Sequence, residues 1–148
     1  MIEKDGVAGL SLREAARRAG VSHNAPYRHF ADREALLEAM VAEGFEQLNR
    51  ALESHSGREL GEAYVAFALE HPQRFRLMFS SGRADAKLKA RFSTSFAHLG
   101  PDAMVAGAAA WSLVHGLATL VIEGHVEESD TSKIIASMRF ATGPQRSA

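Results

Sequence analysis

Cysteine is absent from the 148-residue sequence, and neither sign of charge dominates it. Without cysteine the chain has neither a disulfide framework nor a thiolate metal site, which agrees with the reducing cytoplasm, the compartment that we predict. The 17 lysines and arginines are matched by 18 aspartates and glutamates, and the net charge is −1. A protein of this composition that binds nucleic acid has to concentrate its positive charge locally.

Signatures of export, metal binding and catalysis are also missing. Met1 is followed by an acidic, glycine-containing stub rather than by the basic and apolar segments of a signal peptide. The seven histidines form no H-x-x-x-H or H-E-x-x-H pair, and no P-loop, dinucleotide motif or Ser/His/Asp arrangement occurs. We therefore predict no enzyme, no catalytic residue, no metal and no cofactor; a small helical enzyme or metal protein is kept only as an alternative.

One uncharged run, residues 103–122, is long enough to cross a bilayer. Eight of its twenty residues are alanine or glycine, and Asp102 and Glu123 flank it without a basic anchor. Alternating four- and three-residue steps, the spacing of a helix packed lengthwise on a partner helix, connect Met104, Ala108, Trp111, His115, Ala118, Ile122 and His125. We predict a helix buried within the protein or between subunits, and no membrane partner.

Residues 10–37 carry the strongest pattern, two short helices joined by a tight turn and followed by the start of a third helix. Ser11 is placed to cap the first helix, with Glu14 completing a capping box, and Gly20 ends that helix. The second helix is predicted from Ser22, its N-cap, to Phe30, and Asp32 caps the third. A helix, a glycine-containing turn and a polar-faced second helix are typical of a helix-turn-helix DNA reader.

These residues resemble the DNA-binding motif of TetR-type transcriptional regulators. The resemblance rests on SLREAARRAGVS and on YRHFADREALLEAMV. Further along, AAWSLVHGLATL resembles the W-x-x-x-H-G segment of one group of TetR C-terminal domains, as does HPQRFRLMF before it. The resemblance implies an all-α fold, in which an N-terminal helix-turn-helix domain is followed by a helical ligand-binding and dimerisation domain.

The rest of the chain is predicted to be helical, because no segment alternates with the two-residue period of a strand. Helices are expected at residues 33–53, 59–70, 72–80, 86–99, 103–122 and 131–142. The small polar segment Ser54–Gly57 is the predicted boundary between a DNA-binding domain, residues 1–50, and an effector-binding and dimerisation domain, residues 51–148. The family normally has a whole helix before its helix-turn-helix, whereas here only MIEKD precedes Gly6.

Candidate DNA contacts cluster in and around the second helix. Its N-terminal residues His23, Asn24 and Ala25 are candidates for base readout, since asparagine pairs with adenine, and Arg28 is a candidate for guanine or phosphate. The resemblance implies that Tyr27 and His29 contact the phosphate backbone. Further phosphate candidates are Ser11, Ser22 and Arg33. Five arginines between residues 13 and 33 face only Glu14 and Asp32, an excess of three positive charges; of these, Arg17 and Arg18 are assigned to the protein surface.

Candidate ligand contacts are large apolar side chains, because small-molecule sites are mostly apolar with a few polar groups. They are Phe67, Phe75, Met78, Phe79, Phe92, Phe96, Trp111 and His115. The same residues at helical spacing also suit an ordinary core. We predict a sequence-specific transcriptional repressor that binds a palindromic operator on double-stranded DNA. It is expected to be a homodimer whose subunits associate through their two C-terminal helices. A small, largely apolar effector is expected to release it from the operator. The alternative is a dimeric ligand-binding or protein-interaction domain that has lost DNA binding with the first helix.

Overall fold

The structure, a computed structural model, describes residues 2–7, 9–80 and 85–138. These residues are helical and include no strand, which confirms the all-α prediction. The α-helices are α1 (Ile2–Asp5), α2 (Leu12–Ala19), α3 (Arg33–Ala51), α4 (Gly57–Glu70), α5 (Pro72–Ser80), α6 (Ala86–Thr94), α7 (Ala103–Ile122) and α8 (Thr131–Ser137). Short 3-10 helices lie at Pro26–Arg28, Ala97–Asp102 and Glu128–Asp130.

Internal contacts group the chain into two compact units. The first contains the described residues of 1–47 and 71–83, and the second contains those of 48–70 and 84–138. Helix α5 is therefore a member of the first unit, although α4, which precedes it, belongs to the second. The functional division at residues 1–50 and 51–148 stays a prediction.

Two contacts of α5 hold it inside the first unit. The Glu3 carboxylate accepts hydrogen bonds from the backbone N–H groups of Gln73 (2.9 Å) and Arg74 (2.8 Å), donors that the first turn of a helix leaves unpaired. At the contact between α3 and α5, a Cβ built on Gly44 would lie 2.7 Å from Sδ of Met78. The absence of a side chain at Gly44 thus allows α3 and α5 to approach closely.

The second unit is built around α7, which packs against α4 and α6. A Cβ on Gly107 would lie 2.6 Å from the backbone N and Cα of Ser93, so α6 crosses α7 at backbone contact distance. The buried stripe of α7 consists of Gly107, Ala110, Val114, Leu117 and Ala118. Of the predicted stripe only Ala118 is buried in this unit, whereas Met104, Ala108 and His125 are exposed, because the close crossing with α6 is formed at Gly107 instead.

Two predicted helices end earlier than expected. Helix α6 stops at Thr94 rather than at residue 99, because Phe96 leaves the helical region with φ −112° and ψ 16°. Helix α8 stops at Ser137, where the extended backbone of Met138 follows, and the predicted continuation over residues 139–142 lies outside the described residues. The segment Ala97–Ile122 is long and apolar enough to cross a membrane on length and composition alone, and 28% of its most apolar window is buried inside the structure.

Candidate functional site

Helix α2 begins and ends as its sequence predicts. Ser11 Oγ accepts a hydrogen bond from the backbone N–H of Glu14 at 3.1 Å, which satisfies one of the unpaired donors of the first turn. Gly20 closes the helix in the left-handed conformation, with φ +68°, and Val21 N–H bonds back to the carbonyl of Ala16 at 3.1 Å. These caps fix where the chain turns into the segment that follows.

That segment differs from the predicted α-helix of residues 22–30. It consists of turns around the 3-10 helix Pro26–Arg28. Proline has no N–H, so Pro26 cannot donate to the Ser22 carbonyl, and the N–H of Ala25 bonds to that carbonyl at 2.8 Å instead. The prediction of a regular second α-helix is therefore wrong. A helix, a glycine turn and a second, 3-10 helical segment still follow one another along the chain.

The turn segment presents a set of polar side chains to solvent. Tyr27 is 52% exposed, Ala25 is half-buried, and the other exposed members are Ser22, His23, Asn24, Arg28 and His29. Imidazole, amide, phenol and guanidinium groups together can donate to phosphates and read base edges. Seven of the nine candidate DNA contacts thus lie on a single short stretch, and Ser11 and Arg33 lie outside it.

Arg33 has a role that the sequence did not predict. Its guanidinium donates from Nε to the carbonyl of Leu10 at 2.9 Å and from Nη2 to the carbonyl of Val7 at 2.7 Å. These acceptors lie just before α2, whereas Arg33 opens α3. The side chain therefore ties the entry of α2 to the start of α3.

Glu14 is paired with two arginines rather than with the backbone. Its carboxylate accepts from Arg17 at 2.6 and 2.8 Å and from Arg18 at 2.6 Å. These hydrogen bonds, that of Arg17 first, lower the pKa of Glu14 to about 2. The capping-box prediction is thus correct for Ser11 and wrong for Glu14, and the positive charge of Arg17 and Arg18 is partly compensated within α2 itself.

The predicted ligand residues fall into both units. In the first, Phe75 and Phe79 have ring centroids 4.9 Å apart, Phe79 lies 5.4 Å from the Phe45 ring, and Met78 is fully buried. In the second are Phe67, Phe92, Phe96, Trp111 and His115. Most of the buried members serve the cores of their own units.

Tyr64, which the sequence analysis did not single out, is the polar centre of the second unit. Its hydroxyl oxygen lies 3.0 Å from Nε1 of Trp111 and 2.9 Å from Nδ1 of His115, and its side chain is fully buried. The Phe92 ring meets Tyr64 edge-on and stacks against Trp111 at 6.3 Å. Burial raises the pKa of Tyr64 and lowers the pKa of His115.

Next to this cluster the second unit contains a cavity of about 360 Å³. Its apolar wall is formed by residues of α4, α6, α7 and α8 and of the segments that follow α6 and α8, among them Leu60, Phe92, Phe96, Val114, Ile135 and Met138. Polar groups at the cavity are Arg58, Ser95 and His98. Of the predicted ligand residues, Phe92 and Phe96 thus line an open space, and the volume is in the range of small-molecule sites.

Comparison with known proteins agrees with this architecture. Residues 1–40 match the model of bacterial regulatory proteins of the tetR family, and residues 58–140 match that of the tetracyclin repressor-like C-terminal domain. A protein of unknown function from Rhodococcus sp. RHA1 is 34% identical, with a TM-score of 0.76 over 91% of this chain and 84% of that one.

A further solved structure, that of SCO4313, a protein described as regulatory, is 24% identical with a TM-score of 0.69, over 91% of this chain and 85% of the other; this likeness concerns the fold. A search of curated proteins gave no match. Because the C-terminal family model covers more than half of the sequence and the N-terminal model covers the helix-turn-helix, the chain belongs to the TetR family of bacterial regulatory proteins.

Proposed function

We propose that this TetR-family protein is a cytoplasmic transcriptional repressor that binds a palindromic operator as a homodimer and releases it when a small, largely apolar effector binds. The observation that carries the proposal is the exposed polar stretch from Ser22 to His29, which follows the capped helix α2 and its glycine turn. Such a stretch, held by a helix-turn-helix, is suited to the major groove.

Within that stretch we assign base readout to His23, Asn24 and Ala25, and backbone contact to Tyr27 and His29. Arg28 contacts either guanine or phosphate. Ser11 and Ser22 are further phosphate contacts, in addition to their hydroxyls' bonds with the N–H groups of Glu14 and Asn24. Arg33 is assigned a positioning role, because its guanidinium is bound to the carbonyls of Leu10 and Val7 at the start of α2.

Dimerisation through α7 and α8 is supported by the apolar side chains on the outer face of α7. Val105, Leu113 and Leu120 lie on the side of α7 away from its buried stripe and are 43–72% exposed, an unusual set for a solvated helix. Two copies related by a twofold axis present two reading stretches, which a palindromic operator would match. Leu113→Glu should give a monomer in sedimentation, whereas Ala90→Glu, the same kind of change at an exposed position of α6, should leave the dimer intact.

Release by an effector requires that the effector bind one conformation better than the other. We place the effector site in the second unit, at its cavity. The candidate contacts there are Phe67, Phe92, Phe96, Trp111 and His115. Phe75, Met78 and Phe79 belong to the first unit and are not assigned to this site. Helix α3 is continuous from Arg33 to Ala51, so it is a candidate for transmitting movement to the exposed stretch Ser22–His29.

The test is selection of DNA from a random duplex pool, followed by a salt titration on the selected sequence with the wild type, Arg28→Ala and Tyr27→Phe. We expect an enriched palindrome, a steep fall of affinity with salt and weaker binding by both variants. A folded dimer that enriches no sequence would overturn the repressor function and favour the second candidate, a dimeric ligand-binding or protein-interaction domain. The cavity is the observation behind that candidate.

A further inference from the structure

The cavity of the second unit has a buried apolar interior and is open to solvent at its rim. Leu60, Phe92, Val114 and Ile135, which line it, are each at most 5% exposed. Helices α4 and α7 meet tightly beside it, because a Cβ on Gly61 would already lie 3.1 Å from Cγ1 of Val114. The cavity is therefore a defined space beside a close helix crossing, where an apolar body loses water contact on entering.

Two of the polar groups at this cavity suit an anion. They are the guanidinium of Arg58, which is 62% exposed, and the imidazole of His98, whereas the Ser95 hydroxyl donates to the carbonyl of Arg91 at 3.2 Å; among the described lining residues none is acidic. Arg58 uses Nε for the Glu62 carboxylate at 3.2 Å. A guanidinium has five N–H donors in a planar fork, so the Nη groups of Arg58 can serve a second carboxylate.

We propose that this cavity binds a compact apolar carboxylate, with the apolar body between Phe92, Val114 and Ile135 and the carboxylate at Arg58, and that this compound is the effector. The proposal rests on the proposed repressor function, whose effector it names by chemical class. It assigns recognition of the charged end to Arg58, which lies outside the set predicted from the sequence.

Phe92 makes occupancy of the cavity measurable. One side of its ring lines the cavity, and the ring also stacks on Trp111 with an interplanar angle of 24°. Trp111 is the sole tryptophan of the chain, so the intrinsic fluorescence reports on this neighbourhood alone. A molecule that fills the cavity shifts Phe92 and changes the Trp111 emission without any DNA being present.

The experiment titrates the full chain with octanoate and, separately, with octan-1-ol, a neutral molecule of similar length. We expect a saturable change of Trp111 emission and a raised Tm with octanoate, and binding of octan-1-ol weaker by about tenfold or more, the value of one charge-assisted contact. Arg58→Gln should remove the difference between the two probes. Equal binding of both probes to the wild type, or no saturable change with either, would overturn the proposal.

A matched pair of variants tests the location. Ala136→Leu adds bulk at a residue that lines the cavity, whereas Ser132→Leu adds the same bulk one turn earlier on α8 at an exposed residue that does not line it. The first should abolish octanoate binding and the second should preserve it. Equal effects of the two variants would contradict the assigned site.

The effector role is tested separately from DNA binding. Octanoate should lower the affinity of the wild type for its selected operator and should not affect Ala136→Leu, which still binds DNA. Binding of octanoate without any change in operator affinity would reject the effector role while leaving the repressor intact. Failure to select any operator, with saturable octanoate binding retained, would reject the repressor and leave the ligand site.

Discussion

The hydroxyl oxygen of Tyr64 lies 2.9 Å from Nδ1 of His115. The same oxygen is 3.0 Å from the indole N–H of Trp111, which can only donate, so the Tyr64 oxygen is the acceptor in that bond. Nδ1 of His115 is either the acceptor or the donor of the other bond, depending on the tautomer of the imidazole. The two bonds join α4 to α7 through a buried polar contact.

The lowered pKa of His115 predicts that stability depends on pH. Burial lowers its pKa in the folded protein, so the unfolded chain binds a proton more readily than the folded one. The contribution is complete above the unfolded pKa of about 6.5 and is lost as pH falls below it. Thermal unfolding of the wild type between pH 5 and pH 8 should show Tm falling on the acid side, and His115→Gln should flatten that slope. An unchanged slope in His115→Gln, or equal flattening by the exposed control His125→Gln, would contradict this assignment.

Removal of the Tyr64 hydroxyl should weaken the second unit. Tyr64→Phe keeps the ring but leaves the Trp111 N–H and His115 Nδ1 without this partner, and we expect the free energy of unfolding to fall by about 1–3 kcal/mol. The matched control is Tyr27→Phe, which removes an exposed hydroxyl from the first unit and should change stability little. Urea unfolding measures both, and similar midpoints for the two variants would count against a structural role for the Tyr64 hydroxyl.

Arg33 is predicted to act by positioning rather than by binding phosphate. Because its guanidinium is held by the carbonyls of Leu10 and Val7, Arg33→Ala should lower operator affinity while leaving the slope of log affinity against log salt unchanged. A lost phosphate contact would instead reduce that slope by about one unit. Arg28→Ala serves as the comparison. Arg33→Lys retains the positive charge but lacks the planar guanidinium that donates to both carbonyls. If lysine restored the full operator affinity lost in Arg33→Ala, the charge alone would account for the effect.

The crossing of α6 and α7 should not tolerate a methyl group. In Gly107→Ala the new Cβ would meet the Ser93 backbone, which cannot turn aside as a side chain can, and we expect a loss of about 1–3 kcal/mol in unfolding free energy. Gly116→Ala is the control on the same helix, since a Cβ there meets nothing within 4 Å. Alanine should stabilise α7 at Gly116 by up to about 1 kcal/mol. Calorimetry over a range of protein concentrations separates this effect from any change in subunit association.

The features predicted correctly are those decided within a few residues of sequence. Ser11 and Gly20 mark the ends of α2 because caps depend on neighbouring backbone groups. The form of the next segment was mispredicted since Pro26, inside an otherwise helical pattern, removes a donor. Tyr64 could not be recognised as a hub, because its partners Trp111 and His115 lie 47 and 51 positions away along the chain.

The stripe on α7 illustrates a second limit of sequence patterns. An almost uniformly apolar helix has several faces of similar hydrophobicity, so spacing alone could not choose between Met104 and Gly107 as the buried position. The choice was made by a close crossing with α6, which requires the smallest residue. Similarly, the role of Arg33 depends on two backbone carbonyls, and a carbonyl is present at every residue whatever its side chain.

Membership of α5 in the first unit has a consequence for synthesis and for engineering. During translation the chain leaves this unit after residue 47 and returns to it at residue 71, so the unit is completed only when residue 80 has emerged from the ribosome. A fragment cut after residue 50 lacks the helix that Glu3 caps and that Gly44 accommodates. Chimeric regulators made by grafting a DNA-reading module should therefore carry residues 71–80 with residues 1–47, as one discontinuous piece.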